Sequence, residues 1–193
     1  MSATEEEVAT NILLFFDQFF TKLFPEYKNR PFFLSGESFA GNYLPHISKK
    51  IFEAKRAYIN LQGVAIGNGW SNPSIQYPAY AEFAIDPDNV QYTQVSQELY
   101  NKVKPLLTTC GKWLKNAVAG DLPAIYDLCE DANDQLMLDA NNNPKFNLYD
   151  IRLPCIGDLC YDMTPQINFF NSPEVRNALQ SDKLWMPCDD KVG

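Results

Sequence analysis

A serine flanked by small residues lies at the centre of the segment FLSGESFAG, which covers residues 33–41. Gly36 stands two positions before Ser38, and Ala40 stands two positions after it. A nucleophilic serine on a sharp strand-to-helix turn needs small residues at both positions, because larger side chains would collide across the turn. This pattern predicts Ser38 as the nucleophile of acyl-transfer chemistry. The backbone N–H of Phe39 is then expected to donate one hydrogen bond to the oxyanion.

Such a turn requires a strand before it and a helix after it. Residues 31–34 form a short apolar run without alternation, which is typical of a strand buried on both faces. Residues 61–66 form a second apolar segment rich in β-branched side chains. Strand, helix and strand in this order predict a βαβ unit with parallel strands, which places Ser38 at the carboxyl edge of the sheet. The intervening helix is predicted from apolar residues on one side, namely Tyr43, Leu44, Ile47, Ile51 and Ala54.

An amphipathic helix is predicted before the first strand. Ser2 or Thr4 can cap this helix, with Glu5 or Glu7 three residues later completing a capping box. Its apolar face contains Val8, Ile12, Phe15, Phe16, Phe19 and Leu23 at helical spacing.

The composition changes after residue 71. Residues 72–147 are rich in Asn, Asp, Pro and Gln, with helical stretches predicted near 79–84, 93–104 and 121–129. This segment is either a second small helical domain or a lid inserted into an α/β fold. Residues 148–193 read as a cysteine-containing loop followed by a helix, with Ser172 as its cap and Pro173 at its first position. We therefore expect three parts, an α/β core over 1–71, a helical lid over 72–147, and a loop and helix over 148–193.

The charge and the apolar clusters of the chain argue against nucleic-acid binding and membrane insertion. The chain has 16 Lys and Arg against 24 Asp and Glu, a net charge of −8, which argues against nucleic-acid partners and anionic membrane surfaces. The longest apolar cluster is interrupted by Asp17, Gln18 and Lys22, so no membrane insertion is expected, and the acidic N-terminus does not resemble a signal peptide.

The single histidine limits the available chemistry further. His46 follows Ser38 by eight residues, which corresponds to about 12 Å along a helix. We therefore expect His46 to be a surface or packing residue and not the base of a catalytic triad. Neither a metal site nor a cofactor is predicted, since most zinc sites need a well-placed imidazole.

Four segments in the same order resemble one enzyme family. GESFAGNYLPHISKKI, INLQGVAIGNGWSNP, YDIRLPCIGDLCYD and PEVRNALQ are similar to the serine carboxypeptidases of the α/β-hydrolase superfamily, the carboxypeptidase Y and cathepsin A group. The resemblance implies a partial α/β-hydrolase fold with a helical lid. It also implies a serine-type carboxypeptidase whose substrate is the C-terminus of a peptide or protein.

The resemblance gives roles to individual residues. Ser38 matches the nucleophile that forms the acyl-enzyme. Glu37 matches a glutamate that binds the terminal carboxylate of the substrate by sharing a proton, because two ionised carboxylates cannot occupy one site. Asn68 and Gly69 match a loop that we interpret as structural.

The resemblance also implies that the chain is a central fragment. The family's catalytic Asp and His follow the nucleophile at a distance, and its Asn-Gly-Gly-Pro-Gly segment precedes it; we expect all three outside this chain, which would then be inactive alone. The family pattern implies disulfides Cys155–Cys160 and Cys110–Cys129, and pairing of Cys188 with a cysteine outside the chain. It further implies a vacuolar, lysosomal or secreted protein. The alternative for the cysteines is five reduced thiols in the cytosol.

Two other functions remain open at this point. A carboxypeptidase-like acyltransferase shares the same turn but passes the acyl group to an alcohol. A non-catalytic carboxypeptidase-like module that binds a partner is the other alternative, although a two-stranded core would expose apolar strand edges.

Overall fold

The computed structural model describes residues 4–118, 122–139, 141, 143–157 and 160–188. The chain divides into two compact units, residues 1–76 and residues 77–193. The predicted three-part division at 71/72 and 147/148 stays a prediction. No helix among the described residues is long and apolar enough to cross a bilayer.

The first unit begins with a capped helix. Helix α1 spans Glu5–Gln18, and the Oγ1 atom of Thr4 accepts a hydrogen bond from the Glu7 N–H at 3.2 Å. The predicted cap is thus Thr4, and the alternative Ser2 lies outside the described residues. A π-helical turn over Phe19–Leu23 and a 3-10 turn over Pro25–Tyr27 end this segment.

A βαβ unit follows, as the sequence predicts. Strand β1 spans Pro31–Glu37, helix α2 spans Ala40–Ala54 and strand β2 spans Asn60–Gly67. The two strands are parallel and pair from Pro31 opposite Asn60 to Glu37 opposite Gly67, with one register shift after Phe32. The strand order and direction place the end of β1 beside the end of β2.

The core of this unit lies on one face of the sheet. Helices α1 and α2 cover the face that carries Phe32 and Leu34, and the Phe32 ring lies 5.1 Å from the Phe16 ring. Phe33 points to the other face and is 65% exposed. The expectation of a strand buried on both faces is therefore wrong for the described chain, because successive side chains alternate and both helices pack on the same side. The buried core residues are Ala9, Leu13, Phe16, Phe20, Leu34, Leu44, Ile47, Ile51 and Ile59.

The second unit is helical in its described residues. Helix α3 begins in the first unit and continues into the second. The helices predicted near 79–84, 93–104 and 121–129 are present but longer than expected, and two short helices lie where the sequence predicts none. The bounds are α3 Pro73–Ile85, α4 Val90–Thr93, α5 Gln97–Asn116, α6 Leu122–Met137, α7 Thr164–Phe170 and α8 Pro173–Ala178.

The last helix begins where the sequence places it. Ser172 precedes α8, and its Oγ accepts a hydrogen bond from the Val175 N–H at 3.4 Å. Pro173 occupies the first helical position, where a missing N–H costs no intrahelical bond. The sequence pattern does not predict α7, because this helix is short and Met163 offers no side-chain cap.

Two disulfides lie in the second unit. Cys110 on α5 is joined to Cys129 on α6, and Cys155 is joined to Cys160. These are the two pairs that the family resemblance implied. Cys188 is an exposed free thiol, so the structure does not support its pairing with a cysteine outside the chain, and that pairing stays a prediction.

The α5–α6 disulfide gives a test of stability. Because it closes a loop with a sequence separation of 19, removing it in a Cys110→Ala/Cys129→Ala variant should lower the free energy of unfolding by about 3 kcal/mol. Urea denaturation under oxidising conditions measures the change. Cys188→Ala is the matched control and should unfold like the unmodified chain. Equal stability of the double variant and this control would show that the bridge contributes little.

Candidate active site

Ser38 occupies the turn between β1 and α2 with an unusual backbone conformation. Its φ is 58°, in the left-handed region that residues with a side chain seldom adopt, and the residue is exposed. Such a conformation costs about 1–3 kcal/mol and persists only where neighbouring groups enforce it. A strained serine between a strand and a helix is the geometry of a nucleophile elbow.

Small residues are required on both sides of this turn. A Cβ added to Gly36 would lie 2.5 Å from the Cβ of Ala40, which is closer than two non-bonded carbon atoms approach. A Cβ added to Gly41 would lie 2.7 Å from the Trp70 backbone nitrogen. The structure thus supplies the steric reason for the Gly36, Ala40 and Gly41 pattern in the sequence.

Two backbone hydrogen bonds, one to the last residue of β2 and one from the segment after it, hold Ser38. The Ser38 N–H donates to the Gly67 carbonyl at 3.1 Å, and the Trp70 N–H donates to the Ser38 carbonyl at 2.9 Å. The Gly41 N–H also donates to the Ser38 carbonyl, at 3.0 Å. Each bond contributes about 1 kcal/mol net, so together they match the cost of the left-handed conformation.

Side chains attach the same segment to the start of α2. The Asn42 amide donates to the Trp70 carbonyl at 2.8 Å. The Trp70 ring meets the Phe39 ring edge-on, with centroids 6.0 Å apart. Sequence reasoning did not identify Trp70 or Asn42, since their contact joins residues 28 positions apart and no local pattern indicates it.

Phe39, the predicted oxyanion donor, follows Ser38 directly at the start of α2. Phe39 is the N-cap residue of α2, and its N–H is not a donor in any hydrogen bond found among the described residues. Free N–H groups at a helix N-terminus attract negative charge. The role of this N–H as an oxyanion donor stays a prediction.

Glu37 ends β1 directly before Ser38 and is exposed. Its backbone lies opposite Gly67 in the parallel register. Within the described parts of the chain no hydrogen bond or ion pair uses its carboxylate.

His46 lies on α2 and bonds within its own helix. Its Nδ1 atom is 2.8 Å from the Asn42 carbonyl, one turn earlier. The ring is half-buried. His46 is the one histidine of the sequence, and the described residues show no hydrogen bond between it and Ser38. The expectation that His46 is a packing or surface residue agrees with this position.

Comparison with known proteins decides the family. The sequence profile of the family described as serine carboxypeptidase matches residues 1–193. This chain belongs to the serine carboxypeptidase family. Serine carboxypeptidase-like 48 of Arabidopsis thaliana is 35% identical over 97% of the chain, which covers 37% of that protein. Serine carboxypeptidase 3 of Triticum aestivum is 33% identical over 97% of the chain and 38% of its own length.

A solved structure supports the fold. The chain matches Kex1Δp, a prohormone-processing carboxypeptidase from Saccharomyces cerevisiae, with a TM-score of 0.77 and 24% identity, over 99% of this chain and 43% of that one. The expected partial α/β-hydrolase fold with a helical insertion is thereby confirmed. The chain spans about two fifths of the length of the first family members that it matches.

The close contact at Gly41 gives a prediction about the elbow. Gly41→Ala should lower the free energy of unfolding by about 1–3 kcal/mol, because the new Cβ meets the hydrogen-bonded Trp70 backbone, and this clash outweighs the gain in helix propensity of about 1 kcal/mol. Urea denaturation of the chain measures the difference.

Gly67→Ala is the matched control for this variant. A Cβ at Gly67 would have its nearest neighbour at 3.8 Å, an ordinary contact, so the stability should change by about 0.5 kcal/mol or less. If Gly41→Ala is as stable as Gly67→Ala, the loop after β2 does not pack against α2 as tightly as the structure indicates.

Proposed function

We propose that the complete protein is a serine-type carboxypeptidase with Ser38 as its nucleophile. The proposal rests on the left-handed conformation of Ser38, which hydrogen bonds to Gly67 and Trp70 hold in place. In the reaction Ser38 Oγ attacks the carbonyl carbon of the last peptide bond and loses its proton to a base. The C–N bond then breaks, the C-terminal residue leaves as an amine, and water hydrolyses the acyl-enzyme.

Phe39 and Glu37 take the remaining roles in this proposal. The Phe39 N–H donates to the oxyanion, which gains negative charge as the tetrahedral intermediate forms. Glu37 binds the terminal carboxylate of the substrate through a shared proton, which selects the end of a peptide over an internal bond. Support comes from the position of Glu37 directly before Ser38 and from its uncommitted, exposed carboxylate.

We further propose that the base and its orienting carboxylate come from residues outside this chain. The only histidine, His46, is bonded to its own helix, and the matched family members are more than twice as long. Removal of triad members lowers the rate by several orders of magnitude. The 193-residue chain alone is therefore inactive in this proposal.

Location and the role of the second unit belong to the same proposal. The two disulfides are typical of an oxidising compartment, which supports a vacuolar, lysosomal or secreted protein. In this proposal residues 72–147 are the lid insertion of the complete protein, and Cys188 pairs with a cysteine outside this chain. The exposure of the Cys188 thiol is compatible with such pairing.

The isolated chain gives the first test. Purified residues 1–193 should release no more C-terminal amino acid from an N-blocked dipeptide than the Ser38→Ala variant does, because no base contacts the serine. A discontinuous assay with chromatographic detection of the product measures this. Turnover that Ser38→Ala abolishes would overturn the proposed inactivity, while supporting Ser38 as the nucleophile.

Assays of the full-length gene product distinguish a peptidase from an acyltransferase, which shares the same elbow. Ser38→Ala should abolish all turnover. Glu37→Gln should raise the KM for an N-blocked dipeptide about tenfold or more, because the shared proton to the substrate carboxylate is lost. Steady-state assays with a dipeptide and with a glucose-ester donor measure both activities.

The same assays identify the other functions. Acyl transfer from the glucose ester without peptide hydrolysis would support the acyltransferase. A folded full-length protein with neither activity would support a non-catalytic module. Glu37→Asp is the matched control, since it keeps the carboxyl group and tests whether its reach matters.

A further inference from the structure

Both polar atoms of the Gln76 side chain form hydrogen bonds with the backbone of one loop. Its Oε1 atom accepts hydrogen bonds from the Ser71 N–H and the Asn72 N–H, both at 2.9 Å. Its Nε2 atom donates to the Gly69 carbonyl at 3.0 Å. Gln76 lies in the first turns of α3 and is half-buried. We call the segment 67–72 the elbow loop. It forms three hydrogen bonds with this single side chain.

The elbow loop is the part of the structure that holds Ser38. Gly67 accepts from the Ser38 N–H, and Trp70 donates to the Ser38 carbonyl. The contacts of Gln76 fall on both sides of Trp70, at Gly69 before it and at Ser71 after it. Fixing these neighbours leaves the Trp70 N–H little freedom to turn away from Ser38.

Gly69 gives this loop backbone freedom that the contact with Gln76 limits. A glycine has the largest backbone freedom of any residue, and Gly69 has no side chain to pack. A Cβ at this position would lie 2.3 Å from the Ile66 side chain, which would have to shift to admit a larger residue. The amide of Gln76 therefore restrains the carbonyl of a flexible residue at a crowded position.

We infer that Gln76 is a positioning residue for the nucleophile: its hydrogen bonds to Gly69, Ser71 and Asn72 fix the elbow loop, and the loop holds Ser38 in its left-handed conformation. The inference rests on the proposed role of Ser38 and extends it to a residue 38 positions away in the sequence. Gln76 itself touches no reacting atom.

A purely structural role is the competing explanation. The contacts of Gln76 with Ser71 and Asn72 resemble a helix cap, which would stabilise the start of α3 and nothing else. The bond to Gly69 lies beyond that cap. A test must therefore read out the backbone of Ser38 and not only the stability of α3.

Hydrogen exchange of the 193-residue chain, followed by NMR, provides this readout without any activity. Gln76→Ala should lower the protection factors of the Trp70 and Ser38 amides about tenfold or more, and those in α1 should not change. Ser74→Ala is the matched control, because its hydroxyl bonds only the Asn72 side chain in the same turn. Unchanged protection at Trp70 and Ser38 in Gln76→Ala would overturn the inference.

A conservative variant separates the two hydrogen-bonding directions. In Gln76→Glu the ionised carboxylate accepts from Ser71 and Asn72 but repels the Gly69 carbonyl. A protonated Glu donates to that carbonyl as the amide does. Protection at Trp70 should therefore be low at neutral pH and recover below the pKa of the introduced carboxyl. Equal protection at both pH values would show that the bond to Gly69 does not restrain the loop.

Kinetics of the full-length gene product connect the loop to the reaction. Gln76→Ala should lower kcat about tenfold or more with little change in KM, since the nucleophile and not the substrate contacts are displaced. A normal kcat with lowered protection would overturn the positioning role. If Ser38→Ala leaves turnover intact, the proposed function fails, and the exchange results still decide whether Gln76 controls the Ser38 backbone.

Discussion

The pair of backbone hydrogen bonds at Ser38 is the interaction on which the site depends. The Ser38 N–H is bonded to Gly67 at the end of β2, and the Ser38 carbonyl is bonded to Trp70 in the segment after it. A serine with a φ of 58° would otherwise relax to an ordinary conformation, since the one local bond, from the Gly41 N–H, offsets only about 1 kcal/mol of a strain of about 1–3 kcal/mol. The elbow is therefore a property of two adjacent parallel strands and not of the GESFA segment alone.

The rest of the first unit can be understood as support for this contact. Parallel pairing brings the end of β1 beside the end of β2, so the segment that follows β2 reaches Ser38 directly. Gly41 permits that segment to approach α2, and Asn42 bonds to its Trp70 carbonyl. Burial of one sheet face against α1 and α2 holds the strands in this register. Strand pairing, helix packing and the strained serine are consequently interdependent.

Membership in the serine carboxypeptidase family agrees with this geometry. The chain spans about two fifths of the first relatives that it matches, and the exposed sheet face at Phe33 belongs to a sheet that has two strands in the described residues. The second unit adds a helix pair, α5 and α6, joined by a disulfide. Within the family's fold, this chain contains the strand-turn-helix segment at Ser38 and the backbone contacts that support it.

The sequence by itself determined the βαβ order, the elbow at Ser38, the cap at Ser172, a first cap at Ser2 or Thr4, and the family, because small residues, strand runs and caps are local patterns. It placed three helices within residues 72–147 but not their ends, since helix ends depend on packing and on caps that propensity does not show. The covered face of β1 and the contacts of Trp70 and Gln76 with the elbow were decided only by tertiary structure. Hydrogen bonds to backbone groups far along the chain depend on how the strands meet, and no residue type in the sequence records that geometry.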